Sequence, residues 1–253
     1  MDRIIIGDVH GYFETLMSLL NLINPSKQVG IYFLGDLIDR GPKSKEVLDF
    51  VKAQQYTVLL GNHEELLLTA LQGDSMFEDH WRVSGGKATL KSFAVNPHGP
   101  LDVLKPYQSW IKSFPLYLDL GDLFLVHAGI DPSKPLQQQS AQDFCWTREI
   151  FHESTQPYFK DKIIVAGHTP TVTMGLSAGQ IAIGPGWINI DTGVHLARSG
   201  WLTALYWEQR KLYQVNAQTK ERRILEFQEW SHSSLPIVMA TPNSTDRVQH
   251  TLD

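Results

Sequence analysis

The sequence predicts an α/β protein, an α+β sandwich in which two stacked, mixed β-sheets are flanked by helices. Three observations predict it. Short apolar runs alternate with longer amphipathic ones through the first third of the chain. Later apolar runs come in pairs separated by turn residues. Several runs end alike, in glycine followed closely by a carboxylate, an amide or an imidazole.

"RIIIG" (3–7) reads as a buried strand. "YFETLMSLLNLI" has apolar residues at helical spacing and stops before Asn24-Pro25. "VGIYFLG" is a second strand and "KSKEVLDFVKAQ" a second helix; "YTVLLG" and "EELLLTALQ" repeat the pair. This β-α order implies a largely parallel sheet with helices packed on it. From about Gly73 to Phe114 the pattern is mostly helical, with a glycine pair at Gly85-Gly86. "PLYLDLGDLFLVHAG" then resembles a hairpin around Gly121-Asp122. "KIIVAGH", "QIAIGPGWINIDTG" and "LTALYWEQRKLYQV" supply further strands, the last pair turning near Gln209-Arg210. These make a second, more antiparallel sheet. Residues 1–230 are read as one domain. From Ser231 the chain turns Ser/Thr/Pro/Asn-rich, so 231–253 is expected to be a loosely held polar tail.

Composition narrows the function. The chain has 253 residues, 42% of them hydrophobic, enough for a well-buried core. Net charge is about -5 and no long basic run is present, which argues against duplex nucleic acid as a partner. One cysteine, Cys145, rules out an internal disulfide framework. It is not part of a Cys-x5-Arg loop, because position 151 is phenylalanine, so cysteine-nucleophile phosphatase chemistry is disfavoured. "MDRIIIGD" does not read as a signal peptide, and no run approaches the roughly 18 apolar residues of a membrane span. A cytoplasmic, soluble monomer is expected.

The strand ends carry the chemistry. "GDVHG" (7–11), "GDLIDRG" (35–41) and "GNHE" (61–64) follow the first three strands; "FLVHAG" and "IIVAGHTP" bring His127 and His168. Ligands of open α/β sheets bind beyond the carboxyl ends of strands, so these clusters should converge on one crevice. Taken singly, each has a plain structural alternative: a tight turn for "GDVHG", a helix N-terminus capped by Asn62 for "GNHE". Taken together they form a mixed oxygen and nitrogen set suited to manganese, iron or zinc. The donors exceed the needs of one ion. Two ions about 3.5–4 Å apart, sharing a carboxylate, would use them all, activate water and clamp a phosphoryl group.

In these residues the sequence resembles the metal-dependent phosphoprotein phosphatases of the calcineurin-like metallophosphoesterase superfamily, most closely the small bacterial and phage serine/threonine phosphatases. The resemblance runs in order from residue 7 to about 193. It implies the calcineurin-like fold and a serine/threonine phosphatase that uses metal-activated hydroxide and a histidine acid. It implies that Asp8 and His10 bind the first metal, that Asp36 bridges, and that Asn62, His127 and His168 complete the second. His63 becomes the general acid, oriented by Asp39, and Arg40 holds substrate phosphate. Arg148, in "CWTRE", becomes the second phosphate arginine. Asp191 in "NIDTG" and Glu64 are expected to buttress the site. His195, near "NIDTG", is expected to be non-catalytic, and Trp81 either borders the groove or fills the core. The implied cofactors are two divalent ions, Mn²⁺ first, with Fe/Zn, Ni or Co as alternatives. The implied partner is a phosphoprotein, a phosphopeptide or a small phosphoester.

Two other readings stand beside this one. A dinucleoside tetraphosphate hydrolase of the same superfamily shares "HAGI" and "DTG…GWLTALYWE"; Asp39, Glu64 and "GHTP" weigh against it. A catalytically silent phosphoprotein-binding module would have lost part of the metal and acid set, which is intact here.

Overall fold

The structure is a computed structural model that describes residues 1–227, so the expected tail at 231–253 lies outside the described residues. The first half alternates strand and helix as its periodicity predicts. β1 (Arg3–Ile6), α1 (Phe13–Ile23), β2 (Gly30–Phe33), α2 (Ser44–Ala53), β3 (Thr57–Val58) and α3 (Asn62–Ala70) follow in order. α1 stops where the sequence says it should. Asn24 takes the left-handed conformation and its N–H closes on the Leu20 carbonyl, while Pro25 forbids continuation.

The helical middle comprises α4 (Ser75–Trp81), a π-turn at Arg82–Gly86, α5 (Lys87–Ser92) and α6 (Lys105–Lys112). The second half supplies β4 (Tyr117–Asp119), β5 (Leu123–Val126), α7 (Ala141–Trp146), α8 (Glu149–His152) and β6 (Ile163–Ala166). Then come β7 (Ala182–Gly184), β8 (Trp187–Asn189), β9 (Trp201–Tyr206), β10 (Lys211–Asn216) and β11 (Arg222–Glu226).

Two mixed sheets result. One has the order β11-β10-β9-β1-β2-β3, the other β4-β5-β6-β8-β7. β1, β2 and β3 are parallel, as are β5, β6 and β8; the outer strands pair antiparallel. β9 and β10, expected in the second sheet, instead extend the first, where β9 pairs with β1. β1, β5, β6, β8 and β9 are buried on both faces, which is why they read as unbroken apolar runs. Their side chains divide by period two. Ile4 and Ile6 pack beneath α1, α2 and α3, while Ile5 faces the other sheet. Likewise Leu123 and Leu125 enter the space between sheets, and Phe124 and Val126 pack under α7 and α8. The layers are helix, sheet, sheet, helix.

The structure trims the third strand, expected over 56–61, to two residues. After Val58 the Leu59 N–H makes one more bond to β2, at the Phe33 carbonyl, and the Leu60 N–H then turns to the Pro115 carbonyl, crossing toward the second sheet. β11 was not legible as a strand. It is an edge strand that exposes Arg222 and Glu226 on either side of Ile224; charged side chains are a usual protection for such an edge.

Candidate active site

The carboxyl ends of β1, β2, β3, β5 and β6 open onto one cluster. Asp8, His10, Asp36, Asn62, His63, His127 and His168 are all buried there. The chain reaches this geometry at a conformational cost. Among the described residues ten non-glycine residues have positive φ, and five are His10, Asp36, Asp39, Arg40 and His168. L-residues rarely adopt this region, and such strain concentrates at functional sites. Gly61 is required by close approach: a Cβ there would collide with the Asp36 carboxylate and backbone nitrogen.

Asp36 is the centre. Its Oδ2 lies 3.6 Å from His10 Nε2 and 4.0 Å from His63 Nε2; its Oδ1 lies 3.5 Å from His127 Nε2. Two groups of possible metal ligands share it: His10, Asp36 and His63, and Asp36, His127 and His168. Glu64 holds this loop. Its carboxylate accepts the N–H of Asp36 at 2.8 Å and of Leu37 at 2.9 Å. Burial, with the charge of Asp36, pushes the Glu64 pKa up to about 8.

The donor set fits cations. His10 Nδ1 faces the Ile38 carbonyl at 2.9 Å and His127 Nδ1 faces the Leu34 carbonyl at 2.8 Å. A carbonyl only accepts, so each Nδ1 carries the proton and each Nε2 presents a lone pair toward Asp36. Asn62 Oδ1 lies 3.0 Å from His127 Nε2 and 2.8 Å from His168 Nδ1. Burial lowers the pKa of His10, His127 and His168, keeping the rings neutral and fit for ligation. A buried knot of oxygen and nitrogen lone pairs is what divalent ions require.

Asn62 does not cap α3. Gly61 occupies the cap position, which frees the Asn62 amide to face the two histidines. Asp8 stands beside the two ligand groups: its oxygens accept the His168 N–H at 3.2 and 3.1 Å. Burial, with Asp191 and Asp36 nearby, raises its pKa well above the carboxylate range. His63, expected as an acid, also has a ring nitrogen within reach of His10 and Asp36.

His63 Nδ1 lies 2.7 Å from Asp39 Oδ2. Asp39 is itself fully buried and receives the Trp81 indole N–H at 3.0 Å and the Thr89 hydroxyl at 2.6 Å. Trp81 is therefore core, with a polar duty on Asp39. Burial pushes the His63 pKa down, but Asp36 and the Asp39 hydrogen bond outweigh it and the net shift is upward. The ring is thus arranged to carry a proton. Arg40 Nη1 lies 2.9 Å from His10 Nε2, and Arg148 Nη1 donates to Thr169 Oγ1 at 3.1 Å. The two arginines flank the cluster from separate loops.

One member was missed. His195 packs edge-on against His10, with ring centroids 4.6 Å apart, and its Nε2 lies 2.9 Å from Arg40 Nη1. Its nearness to "NIDTG" was the only sequence signal. Asp191, from that same segment, is buried with Oδ2 unpartnered, and burial pushes its pKa up to about 6.

The calcineurin-like phosphoesterase family model matches residues 1–232. The chain belongs to that family. It is a metallophosphoesterase hydrolase whose Asp and His residues are arranged for divalent metals. It is 35% identical over 143 residues to a symmetrical bis(5′-nucleosyl)-tetraphosphatase from Psychromonas ingrahamii, a match covering 54% of this chain and 48% of the relative. It is 34% identical over 170 residues to the enzyme of that name from Klebsiella pneumoniae, covering 64% and 54%. The chain thus spans about half the length of these curated relatives. A solved structure given the provisional designation diadenosine tetraphosphatase matches with TM-score 0.60 at 19% identity, over 86% of this chain and 94% of that one. That likeness confirms the fold. These two curated relatives carry the name of the second substrate reading from the sequence, not of the serine/threonine phosphatase reading placed first there; a solved protein serine/threonine phosphatase from Saccharomyces cerevisiae shares the fold at TM-score 0.58 and 14% identity, over 94% of this chain and 82% of that one.

Proposed function

We propose that this chain hydrolyses symmetrical dinucleoside tetraphosphates into two nucleoside diphosphates. The identity to two enzymes named for that reaction carries the proposal.

In this reading Asp8, His10, Asp36, Asn62, His127 and His168 hold two divalent ions, Mn²⁺ being the first choice. The bound ions would supply Lewis-acid stabilisation of the phosphoryl oxygens and a water acidic enough to ionise near neutral pH. Arg40 and Arg148 hold the substrate's phosphates, each fork matching two oxygens. Water's oxygen bonds to the attacked phosphorus, the central anhydride P–O bond breaks, and one nucleoside diphosphate leaves. His63, held by Asp39, stands ready to protonate the leaving oxygen.

That pair favours a second reading, hydrolysis of serine or threonine phosphomonoesters. A diphosphate is a good leaving group and gains little from an acid. An alkoxide leaves only when protonated, so a buried His63–Asp39 pair at 2.7 Å suits it better.

The test is a substrate comparison with the purified 253-residue chain and added Mn²⁺, beside a chelated control. The proposal expects diadenosine tetraphosphate to yield ADP as the sole nucleotide, with kcat/KM above that for a phosphoserine peptide. Chelator-sensitive release of phosphate from the peptide, without ADP from the dinucleotide, would overturn it in favour of the second reading.

A further inference from the structure

Arg40 is tied at one nitrogen to two imidazoles. Its Nη1 is 2.9 Å from His10 Nε2 and 2.9 Å from His195 Nε2. Its Nε and Nη2 have no protein partner among the described residues, so that edge of the fork is open. The backbone at Arg40 has φ 66, and the side chain is exposed. Nothing else in its loop fixes the guanidinium.

The two tethers are not equivalent. His10 Nδ1 carries its proton toward the Ile38 carbonyl at 2.9 Å. Its Nε2 therefore has a single lone pair, and that lone pair also faces Asp36 at 3.6 Å. If His10 ligates a cation, it can no longer accept from Arg40. His195 has no such competing duty. It reaches the site from the loop between β8 and β9, 155 residues along the chain from Arg40, and leans edge-on against the His10 ring.

We infer that His195 is a positioning residue for Arg40: it anchors Nη1 so that the Nε and Nη2 edge faces the substrate's phosphoryl oxygens in the metal-loaded enzyme. The inference rests on Arg40 being a phosphate-holding arginine, and it holds for either substrate class.

The experiment measures competitive inhibition by inorganic phosphate, KM and kcat, and Mn²⁺ affinity by calorimetry on chelator-stripped chain. His195→Phe keeps a ring against His10 but removes the acceptor. It should raise the phosphate inhibition constant and KM about tenfold, the order of one lost charge-assisted hydrogen bond, with a smaller change in kcat and Mn²⁺ affinity unchanged. His195→Gln restores an acceptor and should recover most of the loss. In an Arg40→Ala background His195→Phe should have no further effect. An unchanged phosphate constant in His195→Phe, alongside a raised one in Arg40→Ala, would overturn the role of His195 and leave that of Arg40. An unchanged constant in Arg40→Ala would overturn the premise as well. Weakened Mn²⁺ binding in His195→Phe would overturn the inference by making His195 a metal ligand.

Discussion

The space between the two sheets and the edge just beyond it are equally buried and built by the same strands, yet they are chemical opposites. Between the sheets lie Ile5, Leu34, Leu125, Val165, Ile188 and Leu205. Two to five residues further along the chain, just past the strand ends, lie Asp8, His10, Asp36, His127 and His168, each nearly as inaccessible. Burying apolar surface stabilises a fold; burying unpaired charge opposes it. The interior therefore contributes stability, and the edge retains a destabilising arrangement because the chemistry needs it. Five left-handed residues at the edge carry the same message in backbone geometry.

The sharpest way to break this contrast is at Asp36. Asp36→Asn removes the charge shared by both ligand groups and should lower kcat by about 10³-fold or more, a loss of the size seen when a central electrostatic group is removed. Its melting temperature without metal should change little, since the amide keeps an oxygen to accept the His63 N–H at 3.0 Å. A cooperative loss of folding would mean the carboxylate is a structural element after all.

His63→Asn comes next. On alkyl phosphates it should lower kcat by about 10²–10⁴-fold, with far less effect on nitrophenyl phosphate or on a diphosphate leaving group. Equal losses on all three would remove the acid role. In the interior the effect should fall on stability instead. Leu125→Ala should cost about 2–5 kcal/mol by denaturant titration while leaving kcat of the folded fraction within about twofold. A large loss of kcat would show that interior and edge are coupled. The smallest effect belongs between the two regions. Trp81→Phe keeps the ring but withdraws one of the donors on Asp39. It should lower activity on alkyl phosphates a few-fold, with a stability cost of about 1 kcal/mol.

The same contrast explains what the sequence discloses. The inter-sheet strands are legible because doubly buried strands are unbroken apolar runs, and the edge is legible because glycine and a ligand residue follow directly. β1 and its "GDVHG" are the clearest case. The third strand was overextended because Leu60 is apolar for packing while its N–H turns away from β2 to the Pro115 carbonyl. α7 and α8 were not read, since six and four residues give periodicity no room. His195 was set aside because its partners lie far off in sequence. Only the fold brings it to Arg40, and no local pattern encodes that meeting.

The central claim is that this edge is a two-ion site shared through Asp36. Calorimetric titration of the chelator-stripped chain with Mn²⁺, for wild type and Asp36→Asn, tests it directly. The account predicts two ions per chain, sharing Asp36, and loss of tight binding at both in Asp36→Asn. A single ion in the wild type, or undiminished binding in the variant, would contradict it.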